Sequence, residues 1–140
     1  MSFGEVISPM LGRAILACFF LSEAYVRAVD WDGTVTLLAL AGVPSPPLAL
    51  FIAVSSMVLG GLSLLLGFRT RLGALALFAF TVAASVLFYD YWNLANPQAR
   101  ADAYAIFARN IAIAGGLLVL IGMGPGKFAL DNMSGKGARR

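Results

Sequence analysis

Four long apolar runs, separated by short polar or proline- and glycine-containing segments, dominate the chain. The runs cover about residues 10–29, 48–67, 72–89 and 104–123, and each is close to the roughly 20 residues that a helix needs to cross a bilayer. The pattern predicts an all-α integral membrane protein: one four-span domain over residues 1–131, folded as a four-helix bundle.

Two further segments do not fit the length of a span. Residues 34–42 are apolar but too short to cross a bilayer, so we expect either an interfacial helix or a re-entrant piece. Residues 132–140 are rich in glycine and basic side chains and contain little that could be buried. They are predicted to form a disordered cytoplasmic tail.

Composition and charge exclude several classes of protein. With 60% hydrophobic and 12% charged residues, 140 residues cannot hide so much apolar surface in one small soluble core. The net charge is only +3 and the basic residues form no stripe, which argues against nucleic acid as a partner. The chain has no histidine and a single cysteine, Cys18. We therefore expect no metal site, no disulfide and no intrinsic cofactor.

The distribution of Lys and Arg predicts the orientation. One set of polar segments holds seven of these residues: Arg13, Arg69, Arg71, Lys127, Lys136, Arg139 and Arg140. The other set holds three: Arg27, Arg100 and Arg109. Because basic residues concentrate on the cytoplasmic side, both termini are predicted to be cytoplasmic.

Two glycine pairs are candidates for close helix packing. Gly60 and Gly61 open a segment that resembles the segment opened by Gly115 and Gly116, 55 residues later. Small residues let membrane helices approach closely, so all four glycines are predicted at helix contacts. This resemblance between the two segments has two interpretations. Either the chain arose by duplication, so that the bundle consists of two repeated helical hairpins, or glycine-containing apolar runs of this kind are simply common in membrane helices.

A polar cluster is predicted in the outer third of the bundle, where the first and third spans end and the fourth begins. Its members are Glu23, Arg27, Tyr89, Asp90, Trp92, Arg109 and Asn110. We expect Arg109 to pair with Asp90 or Glu23, since an unpaired charge inside a membrane is costly, and the cluster to border a polar-lined pocket. In the alternative interpretation, Glu23 and Arg27 pair along their own helix and the aromatic residues form an interfacial belt.

The order and spacing of several short motifs resemble the DoxX/DoxD-type membrane proteins over about residues 10–131. The motifs are Gly12-Arg13, Ser22 with Arg27, Gly60-Gly61, Arg69-Thr-Arg71, Phe88 to Trp92, Arg109-Asn110, Gly115-Gly116, Gly124 to Lys127, and Asp131. The resemblance implies a four-helix protein of the bacterial or archaeal cytoplasmic (inner) membrane. Members of the family often carry a glutamate and a histidine where this chain has Met57 and Tyr89.

The best-known branch of that family is linked to thiosulfate:quinone oxidoreduction. The resemblance therefore implies a quinone- or redox-associated membrane subunit that binds a small lipophilic ligand, with quinone as the candidate cofactor. The chain shows no self-sufficient catalytic constellation, so any enzymatic role would be as part of a quinone-linked oxidoreductase. The alternatives are a non-catalytic accessory or assembly subunit, and a carrier of a small anion or lipophile. The expected partners are the lipid bilayer and a redox partner, a larger membrane complex or further copies of the chain.

Overall fold

The structure, a computed structural model, describes residues 3–134. The regular elements of that part are all helical: α1 Phe3–Val29, α2 Trp31–Leu40, α3 Pro46–Leu66, α4 Thr70–Phe88, a 3-10 turn Tyr91–Asn93, α5 Pro97–Met123 and α6 Leu130–Ser134. Four segments are long and apolar enough to cross a membrane: Gly4–Val29, Pro46–Leu66, Thr70–Asn93 and Pro97–Met123. The predicted all-α, four-helix membrane architecture is confirmed.

The bundle is built from two closely packed helix pairs. Helix α1 packs on α3 and α4 packs on α5, while α3 and α4 join the pairs. The core consists of buried apolar side chains from all four spans: Ala17, Phe20, Ala24, Met57, Leu64, Ala74, Leu77, Leu117 and Leu120. Many large apolar side chains point outward instead, such as Ile15 and Leu59, each 69% exposed. An apolar exterior of this kind is suited to lipid and costly in water.

Helix α1 begins at Phe3, seven residues before the predicted span. Pro9 lies inside the helix, where it lacks a donor and ordinarily disturbs the preceding turn. Its ring packs against the loop after α5, because a β-carbon on Gly126 would lie only 2.8 Å from the Cβ of Pro9. Gly126 also has φ +78°, a left-handed conformation that favours glycine. The proline therefore forms a contact between the start of α1 and the segment after α5.

Helix α5 also begins earlier than predicted, at Pro97 instead of Tyr104. The Asn96 side chain accepts hydrogen bonds from the backbone N–H groups of Gln98 (2.9 Å) and Ala99 (3.2 Å). Asparagine at the cap followed by proline in the first turn is a strong helix start. The residues assigned from sequence to a polar loop thus form two extra helical turns.

The connection between α3 and α4 is a tight turn with two left-handed residues, Gly67 (φ +70°) and Arg69 (φ +47°). The Ser63 hydroxyl donates to the carbonyl oxygen of Phe68 at 2.6 Å. Gly67 is constrained twice, because a β-carbon there would also lie 2.7 Å from the Cβ of Ala129. The segment that follows α5 is therefore seated directly on this turn.

The residues predicted as an interfacial or re-entrant piece form helix α2. Only Asp30 separates this helix, Trp31–Leu40, from the end of α1. It packs mainly on α3 and has no buried residue. Part of the predicted tail is also helical: residues 132–134 belong to α6. Residues 135–140, the rest of the predicted disordered tail, lie outside the described residues.

The first glycine pair lies at helix contacts. Gly60 faces α4, where an added β-carbon would be 2.5 Å from the Cγ of Leu77, and Gly61 faces α1, where it would be 3.0 Å from the Cγ of Leu21. Both glycines are buried. They allow α3 to approach its two neighbours closely, as small residues do between membrane helices.

The second pair corrects the sequence prediction. Gly115 and Gly116 are exposed; a β-carbon on Gly115 would meet nothing within 4 Å, and one on Gly116 only Leu16 at 3.9 Å. Helix α5 turns Ala114 and Leu117 into the bundle instead. Within the described chain the two glycines are therefore not close-packing positions. The two glycine-containing segments resemble each other in sequence, but their glycines have different surroundings.

Candidate functional site

The residues predicted for the outer cluster divide into separate local groups. Glu23 and Arg27 form an ion pair one turn apart on α1, with side chains 27% and 30% exposed. Arg27 also donates to the main-chain oxygen of Glu23 at 3.1 Å. This pair follows the alternative interpretation, in which the two charges satisfy each other along one helix.

Asp90 and the aromatic residues form a second group at the end of α4. Asn93 donates its side-chain amide to the Asp90 carboxylate at 2.8 Å, and the N–H of half-buried Tyr89 donates to the carbonyl of Ser85 at 3.1 Å. Four rings meet edge to face with centroids between 5.1 and 5.8 Å apart: Tyr91, Trp92, Tyr104 and Phe107. Such contacts stabilise the link between the 3-10 turn and α5.

The predicted pairing of Arg109 is wrong. Among the described residues Arg109 forms no ion pair with Asp90 or Glu23; its side chain is exposed, with the guanidinium carbon 5.5 Å from the centre of the Phe19 ring. The reason is the rotation of α5, which turns Asn110 into the bundle. Neighbouring residues on a helix point about 100° apart, so Arg109 lies at the flank.

Asn110 on α5 and Thr81 and Ser85 on α4 are buried polar side chains, which we refer to together as the polar core group. The Ser85 hydroxyl donates to the Thr81 carbonyl at 2.6 Å. The Thr81 hydroxyl is buried and has no hydrogen-bond partner within the described part of the chain. A buried unpaired hydroxyl costs free energy, and within residues 3–134 the Thr70 hydroxyl is in the same state.

The opposite end of the bundle contains a network that the sequence analysis did not predict. Arg13, only 4% exposed, donates to the main-chain oxygens of Pro125 (2.5 Å) and Phe128 (3.1 Å). A buried guanidinium needs such acceptors. The available signal was the position of Arg13 inside a span, where a charged side chain implies a partner.

Asp131 completes this network. Its two carboxylate oxygens accept from the backbone N–H groups of Arg69 (2.6 Å) and Thr70 (2.9 Å) at the start of α4. Its own N–H donates to the carbonyl of Gly67 at 2.9 Å. Burial alone would raise the pKa of Asp131, but the hydrogen bonds from Thr70 and Arg69 and the charge of Arg13 outweigh it and lower this pKa.

The outward face of α5 is built mainly from small residues, although it also includes Val119 and, at its end, Met123. Its regularly spaced members are Ala101, Ala105, Ala108, Ala112, Gly115, Val119 and Gly122, all exposed and alternately four and three residues apart. A β-carbon on Gly115 or Gly122 would meet nothing within 4 Å. This spacing places the set on one side of the helix, opposite the buried Asn110, Ala114 and Leu117. The described part of the chain thus leaves a smooth helix face uncovered.

The described residues contain no candidate metal site. Among residues 3–134, no three His, Cys, Asp or Glu side chains come together as ligands. Three features remain as candidates for a functional role: the polar core group, the network around Arg13, and the outward face of α5.

Comparisons with known proteins bear on these features. The chain is 32% identical to the inner membrane protein YphA of Escherichia coli (strain K12) over 122 residues, which cover 87% of this chain and 86% of that protein. It is 29% identical to the inner membrane protein YqjF of the same organism over 132 residues, 94% and 95% of the two chains. No solved structure matches. The sequence profile of the DoxX family matches residues 8–90, a segment that contains both Arg13 and the turn capped by Asp131. The resemblance is confirmed, and the chain belongs to the DoxX family of integral membrane proteins.

Proposed function

We propose that the protein is a non-catalytic accessory subunit of a larger assembly in the cytoplasmic (inner) membrane, and that a helix of another subunit packs on the outward face of α5. The observation that carries this proposal is the run of small residues on that face. Support for the location comes from the E. coli relatives, both described as inner membrane proteins.

The α5 face differs from the rest of the bundle exterior. Most of the exterior elsewhere presents large side chains, for example Ile15 on α1, Leu59 on α3 and Leu75 on α4. The exposed alanines of α4 form a shorter run, Ala76, Ala79 and Ala83. Lipid gives membrane helices no hydrophobic reason to associate, so they do so through close contact and hydrogen bonds, which small residues permit. An exposed face of alanine and glycine is therefore suited to another helix.

Arg109 indicates the chemistry of that partner. It lies twelve residues after Pro97 and fourteen before Met123, so at 1.5 Å per residue it is roughly 18 Å and 21 Å from the ends of α5. Within residues 3–134 the acceptor of Arg109 is the side-chain oxygen of Asn110, at 3.5 Å. This long contact leaves most of the guanidinium N–H groups unpaired, which is costly for a charge inside a span unless a further acceptor meets it. We therefore assign the partner a carboxylate, or a free carbonyl group, at the level of Arg109.

A second copy of the chain would supply this acceptor poorly. In a symmetric dimer through the α5 face, the flank of one helix that carries Arg109 meets the other flank of its partner. At that level this flank presents Ile111, which is apolar and exposed. The charge of Arg109 thus favours a different chain over self-association.

Substitution on the α5 face tests the proposal. Ala112→Leu adds bulk where the partner helix would lie, and Ala76→Leu makes the same change at an exposed position of α4. On native gels of membranes solubilised in mild detergent, the wild type and Ala76→Leu should migrate in a complex larger than the 14.7 kDa chain. Ala112→Leu should migrate alone. Equal migration of the two variants, or a complex that contains only this chain, would contradict the proposal.

Orientation is part of the proposal. The basic residues near one end of the described bundle include Arg13, Arg69, Arg71 and Lys127, while Arg27 and Arg100 lie toward the other. By the positive-inside rule, the first end, together with both termini, faces the cytoplasm.

A quinone-linked role is the second candidate, and the polar core group favours it. The unpaired hydroxyl of Thr81 and the buried amide of Asn110 lie on the packed faces of α4 and α5, and either group could donate to a quinone carbonyl. Mass spectrometry of organic extracts of the purified protein tests this role. A quinone should be found in the wild type and lost in Thr81→Val; its absence from the wild type would exclude the role.

A further inference from the structure

A groove opens at the end of the bundle beside the α3–α4 turn. Its volume is about 380 Å³. The groove is lined by Arg69, Arg71, Leu72, Pro125, Asp131 and Asn132. It therefore combines two guanidinium groups and a side-chain amide with an apolar wall, on a different part of the molecule from the outward face of α5.

The positive charge of the groove is not neutralised within the described chain. Asp131 is the acid on its wall, but both of its carboxylate oxygens accept backbone N–H groups, and its charge acts on the buried Arg13. Neither Arg69 nor Arg71 forms an ion pair among residues 3–134. The groove thus carries two guanidinium groups against one carboxylate and has a net positive charge. The Arg69 guanidinium also lies 5.9 Å from the centre of the Phe68 ring.

Arg71 is held in position by the loop after α5. A β-carbon on Gly124 would lie 3.3 Å from its Nη2 atom and 3.5 Å from its Nε atom. The guanidinium is therefore packed against a glycine backbone instead of extending freely into solvent. A planar group fixed in this way can offer two parallel N–H donors to a phosphate.

The place of the groove indicates which phosphate it meets. Leu72 is in the first turn of the third span, so the groove is at the membrane boundary where lipid headgroups lie. Leu72 is 59% exposed and neighbouring Phe68 is 54% exposed, which suits the glycerol and first methylene groups of a lipid. Basic pockets at the ends of membrane helices commonly bind anionic headgroups.

We propose that this groove is a binding site for the phosphate group of an anionic phospholipid. Arg71 donates to the phosphate oxygens, and Arg69 supplies the second positive charge from the turn. Asn132 donates one N–H of its side-chain amide to the carbonyl of Gly126 at 2.6 Å, and this contact holds it in the wall of the groove. Leu72 and Pro125 contact the apolar part of the lipid.

Native mass spectrometry of the full chain in detergent tests this site. Phosphatidylglycerol is added in increasing amounts, and the concentration that half-saturates the first bound lipid is compared among the wild type and three variants. Arg71→Gln and Arg69→Gln each remove one groove cation. Lys127→Gln removes a positive charge at the same end of the bundle but outside the groove. Phosphatidylcholine and inorganic phosphate are titrated in parallel, and thermal unfolding shows that each variant is folded.

We expect phosphatidylglycerol to bind the wild type and Lys127→Gln equally well and Arg71→Gln about tenfold more weakly, as follows from the loss of one charge-assisted hydrogen bond. Arg69→Gln should weaken binding in the same direction. Because the Arg69 side chain is exposed, this variant remains informative if Arg71→Gln fails to fold. Phosphatidylcholine should bind more weakly than phosphatidylglycerol.

Two outcomes would overturn the proposal. If Lys127→Gln weakens binding as much as Arg71→Gln and Arg69→Gln do, the lipid is attracted by diffuse charge and not by the groove. If inorganic phosphate alone competes at the same concentration as the lipid, the ligand is a free phosphate and the assignment to lipid is wrong.

Discussion

The guanidinium of Arg13 donates to the main-chain oxygen of Pro125 at 2.5 Å, although the two residues are 112 positions apart in the chain. The contact ties the first span to the loop that leaves the fourth. Asp131, in the short helix α6 that follows this loop, caps the third span. One short segment after α5 therefore joins the ends of three spans.

Loss of Arg13 should destabilise the protein strongly. Arg13→Gln shortens the buried side chain and leaves the carbonyl oxygens of Pro125 and Phe128 without their charged donor, at an expected cost of about 2–4 kcal/mol. Arg100 provides a matched control, since it also donates to a main-chain oxygen, that of Leu94, but is exposed. Arg100→Gln should cost less than about 1 kcal/mol. Thermal unfolding in detergent measures both, and equal losses would show that the Arg13 network does not stabilise the bundle.

Acid should weaken the same network through Asp131. Because the pKa of Asp131 is lower in the folded protein than in the unfolded chain, its carboxylate contributes stability above the unfolded value, near 4. This contribution disappears as the pH falls through the folded value. At pH 7 we expect Asp131→Asn to melt at a lower temperature than the wild type. Below about pH 4 the wild type should lose this advantage, so that the two melting temperatures approach each other.

Asp102→Asn is the control for that titration, because Asp102 is exposed and, among residues 3–134, its carboxylate accepts only from the Gln98 side chain. Its melting curves should follow the wild type throughout. If Asp131→Asn loses stability on acidification in parallel with the wild type, Asp131 is not the group responsible.

The two glycine pairs should respond in opposite ways to alanine. Gly60→Ala places a methyl group 2.5 Å from the Cγ of fully buried Leu77 and should destabilise by about 1–3 kcal/mol. Gly115→Ala meets open space and should stabilise an isolated chain by roughly 0.5–1 kcal/mol, because alanine is the better helix former. Thermal unfolding of both variants decides the point. A loss at Gly115 as large as that at Gly60 would place Gly115 at a contact within the chain.

Periodicity and length predicted the spans well because the bilayer imposes both on any crossing helix. The rotation of a helix about its axis is set by weaker signals. In α5 the choice between Arg109 and Asn110 as the inward residue depended on which neighbours were small, and glycine is equally suited to contacts within the chain and to contacts with another chain. The structure turns Asn110 inward and leaves Gly115 outside.

The network around Arg13 shows a second limit. The motif that carries the family resemblance contained Arg13, Gly124 to Lys127 and Asp131, but contact between its members depends on tertiary packing over more than a hundred residues. The early start of α5 is different, since Asn96 followed by Pro97 is a local capping signal that sequence reasoning could have used.

The proposed orientation is open to a labelling experiment. In a Cys18→Ala background, which removes the single native thiol, Gln98→Cys and Met133→Cys each place one reactive group at an exposed position on opposite ends of the bundle. A membrane-impermeant maleimide applied to spheroplasts should label only the cysteine at 98. Labelling at 133 alone would invert the topology.

The central claim is that a helix of another subunit covers the outward face of α5, and site-specific photo-crosslinking in intact membranes tests it most directly. A photoreactive amino acid placed at Ala112 is compared with the same group at Ala76, an exposed position of α4. We predict a discrete protein adduct from position 112, with a partner other than this chain, and only lipid adducts from position 76. Lipid adducts alone at position 112, or the same protein adducts at both positions, would contradict the claim.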